Sequence, residues 1–383
     1  MRCASFHPLK REDLTMGNIL RRLKRLRAIL RAKSLDAALI THVMNVRYLS
    51  GFTGDDSVLL IGPKCAQLLT DFRYTEQAGA ELRGARIEII QRKKSILEAV
   101  ALAVRSLGAT SLAFESDDLS FQTHADLVAK LRDAGVKDAS FLKPAPRLVS
   151  ALRERKDAGE IAAIRKALAI AQEAFKAVLP TLRPGLSERD VAVELEYQMK
   201  RRGAMAASFP IIVAGGPRGS LPHAGPTDRK LRAGEPIVID WGALVDFYCC
   251  DLTRTVFLST IPKLWKARYE LVLKAQARGI AAVAAGAKGR RVDRAARAFL
   301  TRHRLGKRFG HGLGHGVGMA IHEAPSLGAQ SAAKLQPGMV VTVEPGIYLP
   351  GQGGIRIEDM VLVRQEGAEV LSSLEKGLDA AVL

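Results

Sequence analysis

Glu344 and Glu358 stand in otherwise apolar company within LQPGMVVTVEPGIYLPGQGGIRIEDM, residues 335–360. Val340, Val341 and Val343, bounded by Pro337-Gly338 and Pro345-Gly346, predict one short strand. Residues 355–363 predict a second strand after a Gly/Pro-rich turn. A buried carboxylate is costly to strip of water unless something pairs with it, and the first strand has no Lys or Arg at a suitable spacing. Two acids brought together by a hairpin repel each other unless a cation sits between them.

The same construction occurs earlier in the chain. Leu231, Gly234, Asp240 and Gly242 reproduce the spacing of Leu335, Gly338, Glu344 and Gly346: nine residues from Leu to acid, six from Gly to acid, two from acid to the next Gly. A second acid follows each copy, Asp251 after eleven residues and Glu358 after fourteen. Two predicted long helices precede each copy. Two hairpins related by an approximate two-fold axis would bring four carboxylates to one place, and a metal site is the economical way to hold them ionised. An imidazole donor is available in FGHGLGHGVGMAIHE, where His311, His315 and His322 fall within twelve residues. Its alternating glycines allow close backbone approach but do not form a nucleotide-binding GxGxxG. His223 closes the Gly-rich loop before the first copy. Oxygen-rich ligands with one imidazole suit a divalent ion of the Mn/Co/Fe/Zn series. A pair of such ions would activate a bridging water and polarise a scissile carbonyl, with unligated histidines stabilising the oxyanion or protonating the leaving nitrogen. The implied reaction is metal-assisted amide hydrolysis.

The elements that must position these residues divide into two halves, as a chain of 383 residues suggests. Residues 18–145 alternate helical and strand patterns, which predicts an α/β domain. A basic amphipathic helix over 19–33 leads into the strand DAALIT. NVRYLSGFTG reads as a Gly-punctuated loop, and strands are predicted at 57–61, 67–70, 86–91, 111–115 and 136–142. Helices are predicted at 95–106 and 119–134. His42 and His124 have no partner at ligand spacing and read as ordinary histidines. The prolines and charges of KPAPRLVSALRERKD mark a boundary, and a second domain follows over 157–383. Asp157 with Glu160 predicts a capping box opening a long helix to about Pro180, and Ser187 caps another to about Arg202. Strands are predicted at 209–214, 236–244 and 247–258, helices at 261–288 and 292–303, and a loop at 309–323. Residues 1–17 read as a poorly ordered extension, with Met16 an alternative start.

Composition narrows the function classes. No apolar run approaches a membrane span. The N-terminus lacks an apolar signal core, and Glu12 and Asp13 argue against a transit peptide. Four cysteines without CxxC spacing read as free thiols of a reducing cytoplasm. The net charge of +19 is spread as +8 over residues 1–150 and +11 over the remainder. The basic run over 21–33 interleaves with leucines at helical spacing, so it reads as a solvated helix face and argues against a nucleic-acid partner.

PHAGPTDRKLRAGEPIVIDWGALVDFYCCDLTRTVF, GHGLGHGVGMAIHEAP and MVVTVEPGIYLPGQGGIRIEDMVLV resemble the pita-bread metallopeptidase family, in its Xaa-Pro aminopeptidase and Xaa-Pro dipeptidase (prolidase) branch. NVRYLSGFTG and TDFRYTEQA resemble that branch's N-terminal domain. The resemblance implies an α/β creatinase-like N-terminal domain followed by an α+β pita-bread catalytic domain with a pseudo-two-fold internal repeat. It implies that Asp240 chelates one metal ion, that His315 and Glu344 hold another, and that Asp251 and Glu358 bridge both. Glu344 would also shuttle the proton. His223 and His322 match substrate-contacting histidines, His311 a further active-site histidine, and Arg356 a partner of the carboxylates. Cys250 departs from the usual Ser or Ala before Asp251. Two divalent ions are implied, Mn²⁺ first, with Co²⁺ or Zn²⁺ also acceptable to the ligand set. Proline-containing peptides are the implied substrates, and a cytoplasmic homodimer without membrane association is the expected form. Methionine aminopeptidase shares the ligands but lacks an N-terminal domain of this size. Relatives that keep the fold as a non-catalytic scaffold for protein or nucleic acid lose ligands, whereas all five are present here.

Overall fold

The computed structural model describes residues 11–136 and 138–383, with side chains from Gly17 onward apart from Ala139. Residues 1–10 of the expected extension, and with them Cys3, lie outside the described residues. The remainder of that extension departs from expectation, because the first helix already begins at Arg11. Contacts divide the chain into two compact units, Met1–Arg153 and Glu154–Leu383.

The first unit contains helices α1 (Arg11–Ala32), α2 (Val43–Ser50), α3 (Thr75–Glu81), α4 (Ile96–Leu107), α5 (Phe121–Asp133) and α6 (Ser150–Arg153). Its strands are β1 (Ala37–Ile40), β2 (Val58–Ile61), β3 (Ala66–Thr70), β4 (Glu88–Gln91), β5 (Leu112–Phe114) and β6 (Leu142–Pro144). They form one mixed sheet of order β4-β3-β2-β1-β5-β6. Val100, Val104, Leu127 and Leu131 of α4 and α5 pack on Leu39, Leu60, Leu69 and Leu112 of the strands. Part of the predicted loop NVRYLSGFTG is instead α2. The His42 side chain caps it by accepting from Met44 N–H, Val46, Tyr48 and Leu49 are buried, and Gly51 ends it in the left-handed region at φ 80°. Tertiary burial of an apolar face outweighed the turn-like composition. The strand expected over 136–142 shrinks to β6, and α3 occupies a stretch with no predicted element.

The second unit repeats one motif. Helices α7 (Ala158–Val178) and α8 (Glu188–Arg201) precede β7 (Ala206–Ala207), β8 (Ile212–Gly215), β9 (Ile237–Trp241), β10 (Ala243–Val245), β11 (Tyr248–Cys249) and β12 (Leu252–Val256). Helices α9 (Lys263–Ala282) and α10 (Gly289–Arg302) precede β13 (Gly314–Gly316), β14 (Glu323–Leu327), β15 (Val340–Val343), β16 (Gly346–Leu349), β17 (Gly353–Arg356), β18 (Asp359–Val363) and β19 (Ala368–Val370). Strands β8, β9 and β12 pair antiparallel in that order, and so do β13, β15 and β18. This is the pseudo-two-fold pita-bread arrangement. Asp157 and Glu160 form both halves of the capping box on α7, and Ser187 with Asp190 does the same on α8.

Each predicted hairpin is broken where its acids lie. The strand expected over 247–258 splits into β11 and β12 around Asp251, and that over 355–363 splits into β17 and β18 around Glu358. The loop expected over 309–323 contains β13, which carries His315. Gly314 and Gly316 permit this strand. A Cβ on either would come within 2.0 Å of Thr342 O or 2.3 Å of Ala324 O.

Trp241 ties the first motif together. Fully buried, it stacks on Phe175 with ring centroids 4.2 Å apart, and its Nε1–H donates to Ala171 O at 3.0 Å. Trp241→Ala opens a cavity beneath β9 and removes that donor. It is expected to destabilise the second unit by about 3–5 kcal/mol, measured as a shift in its urea unfolding midpoint.

Candidate metal centre

Five donors converge from the two motifs. Asp240 lies on β9, Asp251 in the break before β12, His315 at the centre of β13, Glu344 directly after β15 and Glu358 in the break before β18. One donor atom each from Asp251, His315 and Glu358 lie within 4.8 Å of one another. His315 Nε2 is 3.5 Å from Asp251 Oδ2 and 3.4 Å from Glu344 Oε1. His315 Nδ1 faces Gly316 O at 3.1 Å. A carbonyl can only accept, so Nδ1 carries the proton and the Nε2 lone pair points at the acids.

Two threonine hydroxyls set the carboxylates. Thr253 Oγ1 donates to Glu358 Oε2 at 2.7 Å and accepts from Arg356 Nε at 3.0 Å. Thr342 Oγ1 donates to Glu344 Oε1 at 3.1 Å and accepts from His315 N–H at 3.1 Å. Arg356, itself buried, donates through Nη2 to Asp240 Oδ2 at 2.6 Å and through Nη1 to Tyr348 Oη at 2.9 Å. Tyr348 Oη lies 2.9 Å from His311 Nε2, and His311 Nδ1 lies 2.8 Å from Gly312 O. By the same carbonyl argument Nδ1 is protonated, so the tyrosine donates to Nε2. A hydrogen-bonded chain thus runs from Asp240 through Arg356 and Tyr348 to His311.

A cavity of about 530 Å³ contains all nine expected site residues: His223, Asp240, Asp251, His311, His315, His322, Glu344, Arg356 and Glu358. His223 and His322 are exposed, and the His322 ring meets His315 edge-on at 4.4 Å. Phe209, Pro210, Ile212 and Ile321 supply apolar wall. Thr253, Thr342 and Tyr348 are absent from the sequence reading. Period-two alternation was the available signal. Thr253 lies two residues after Asp251 and Thr342 two before Glu344, and Tyr348 lies two beyond Gly346, which pairs with Arg356.

The electrostatics call for a cation. Burial, then the charges of Asp240 and Glu344, push Asp251 well above the ordinary carboxylate range. Burial, then Asp251, Glu344 and Asp240, do the same to Glu358. Burial raises Glu344 to about 7, although Arg356 pulls the other way. Burial lowers His315 and His311 to about 4, with Arg356 adding to the effect on His311. Asp240 Oδ1 and Glu358 Oε1 are buried without a hydrogen-bond partner among the described residues. Orphaned acceptors, repelling acids and a neutral imidazole aimed at them fit divalent metal binding.

Comparison with known proteins shows the family. The metallopeptidase family M24 profile matches residues 162–365, and the Creatinase/Prolidase N-terminal domain profile matches residues 22–155. An uncharacterized peptidase of Bacillus subtilis (strain 168), YqhT, is 40% identical over 93% of this chain and 99% of its own. The structure of an Xaa-Pro dipeptidase from Bacillus anthracis superposes with a TM-score of 0.90 at 40% identity, covering 96% of this chain and 100% of that one. That of an X-Pro aminopeptidase from Thermotoga maritima MSB8 gives 0.86 at 34%, covering 94% and 100%.

The raised carboxylates bind more protons in the folded chain than in the unfolded one, so the metal-free protein loses stability as pH climbs through their folded values. The two lowered histidines oppose this only below about 6.5, where they titrate when unfolded. In EDTA, stability is expected to fall between about pH 6.5 and 8, each extra bound proton contributing about 1.4 kcal/mol per pH unit. Thermal unfolding across that range checks the slope, and excess Mn²⁺ at pH 8 should restore the melting temperature.

Proposed function

This chain belongs to metallopeptidase family M24, and we propose that it hydrolyses the bond between an N-terminal residue and proline, in dipeptides or at the start of longer peptides. The observation that carries the reading is the set of four carboxylates and one imidazole gathered in a cavity with three further histidines and an apolar wall. Metallopeptidases of this family work with divalent metal ions. We assign two here, Mn²⁺ first and Co²⁺ or Zn²⁺ as alternatives, held by Asp240, Asp251, His315, Glu344 and Glu358. When bound they would supply Lewis acidity toward the scissile carbonyl and a nucleophile at neutral pH.

The remaining roles fall to the chain's own groups. Glu344 would take up on its carboxylate the proton given up by the attacking water and return it to the leaving nitrogen. His223 and His322, exposed at the cavity, are placed to bind the peptide and donate to its carbonyl oxygen. His311 keeps its ring proton on Nδ1, committed to Gly312 O, and its Nε2 accepts from Tyr348 Oη, so it orients substrate without moving a proton. Arg356 fixes Asp240 and prevents its rotation away from the site. Phe209, Pro210, Ile212 and Ile321 offer the pyrrolidine ring an apolar surface. We place the enzyme in the cytoplasm as a homodimer, a setting compatible with the free thiols of Cys65, Cys249 and Cys250. Among the described residues no helix is long and apolar enough to cross a membrane.

The Mn²⁺-loaded protein should cleave Ala-Pro, Ala-Pro-Ala or both. Cleavage of the dipeptide alone assigns dipeptidase action, and release of Ala from the tripeptide assigns aminopeptidase action. Inactivity toward both, with Mn²⁺ bound, overturns the Xaa-Pro reading. Asp251→Ala should abolish either activity and reduce the Mn²⁺ bound in equilibrium dialysis. Retention of more than a few per cent of the activity would contradict a shared-metal role.

A further inference from the structure

Two of the segments that bring non-ligand histidines to the cavity carry His223 and His311. Each is tied down by a carboxylate and an arginine outside the cavity lining. Glu188, the first residue of α8, is fully buried. Its Oε1 accepts from Gly215 N–H at 3.0 Å, and its Oε2 from Thr227 N–H at 3.0 Å, Thr227 Oγ1 at 2.7 Å and Arg218 Nε at 2.9 Å. Arg218 Nη2 in turn donates to Gly225 O at 2.5 Å. One carboxylate therefore closes the neck of the segment 215–227, and its arginine braces the interior beside His223.

Asp293 on α10 is likewise buried. Its Oδ1 accepts from Leu313 N–H at 3.2 Å, and Arg297 grips both of its oxygens at 2.7 and 2.8 Å. Arg297 Nη1 then donates to Phe309 O at 2.8 Å and Nη2 to His311 O at 2.6 Å. The guanidinium also lies 4.2 Å from the Phe309 ring centroid. In both places the acid takes the segment's N–H groups and the arginine takes its carbonyls. The acids occupy matching places in the repeat: Glu188 precedes Asp240 by 52 residues and Asp293 precedes Glu344 by 51.

We propose that Glu188–Arg218 and Asp293–Arg297, whose acids match in the repeat while their arginines come from different places, are two positioning clamps that hold His223 and His311 toward the substrate before it binds. Gly-rich backbone has many alternative conformations, and a displacement of about 1 Å at a substrate-orienting group costs up to about 100-fold in rate. The planar fork of arginine reaches carboxylate and carbonyls together, a geometry that a lysine point charge does not reproduce. The metal ligand His315 is fixed separately through Thr342, so the clamps act on substrate and leave the metal site intact.

The kinetic part of this inference rests on the peptidase reading, and a spectroscopic part does not. Arg297→Gln is expected to lower kcat/KM on the cleaved peptide by about 10- to 100-fold, with calorimetric Mn²⁺ affinity within about two-fold of wild type. In the metal-free protein labelled with ¹⁵N-histidine, Arg297→Gln should move or broaden the ring signals of His311 and spare those of His223. Arg218→Gln should show the converse. Arg297→Lys should recover only part of the rate, and with Arg218→Gln it carries the test if Arg297→Gln does not fold. A lowered melting temperature with unchanged kcat/KM and unchanged ring signals would make the pairs merely structural and overturn the proposal. So would a rate loss matched by an equal loss of Mn²⁺ affinity. If the wild type cleaves neither peptide, the peptidase reading fails and the ring signals still decide the clamps.

Discussion

Mutual repulsion among Asp240, Asp251, Glu344 and Glu358 is the constraint on which the second unit depends. Taking one carboxylate out of water is costly, and taking four out side by side is prohibitive without positive charge. The chain itself contributes one buried guanidinium, Arg356, bound to Asp240. Its hydroxyls engage single oxygens of Glu344 and Glu358, leaving Glu358 Oε1 and Asp240 Oδ1 without partners among the described residues. An unloaded site answers by raising carboxylate pKa values, which stores protons where a metal belongs.

Duplication supplies the rigidity that such a site needs. Each motif offers one acid beside a paired strand and one in a break between strands, and the breaks let a carboxylate leave the sheet plane. The same logic explains the glycines. Gly314 and Gly316 stand where a side chain would collide with the neighbouring backbone, so His315 can ride on a strand pressed against β14 and β15. The candidate ligand is thereby carried on a hydrogen-bonded element and not on a free loop. That matters for a donor whose direction decides which metal geometry forms.

Much of this was legible in the residues. The equal offsets of Asp240 and Glu344 from their leading Leu and Gly exposed the repeat, and the clustering of four of eight histidines pointed to the cavity. What escaped had identifiable causes. A Gly-rich run reads as loop because glycine propensity is local, whereas β13 exists only through its neighbours. Residues 43–50 mix the helix formers Met44, Arg47 and Leu49 with β-branched, aromatic and turn-type residues, and their helix depends on burial of Val46, Tyr48 and Leu49. Tyr348, Thr253 and Thr342 escaped because hydroxyls in strands are common and only the cross-strand register shows which of them meet a site residue. The clamps were invisible for a related reason: Glu188 in the first turn of α8 and Asp293 in the second turn of α10 are ordinary helix acids until the fold brings histidine-bearing segments against them.

Charge balance bears on the number of ions. Four carboxylates against one guanidinium, with His315 neutral, leave three negative charges in a largely buried space. One divalent cation leaves one negative charge unpaired. Two divalent cations overshoot by a single positive charge. That excess suits a site whose other occupants are an anionic nucleophile or the carboxylate of a short peptide. The same balance gives Arg356 its importance. Without it a pair of ions would neutralise the four acids, so Arg356 would bear on the sign of a loaded site as well as on the posture of Asp240.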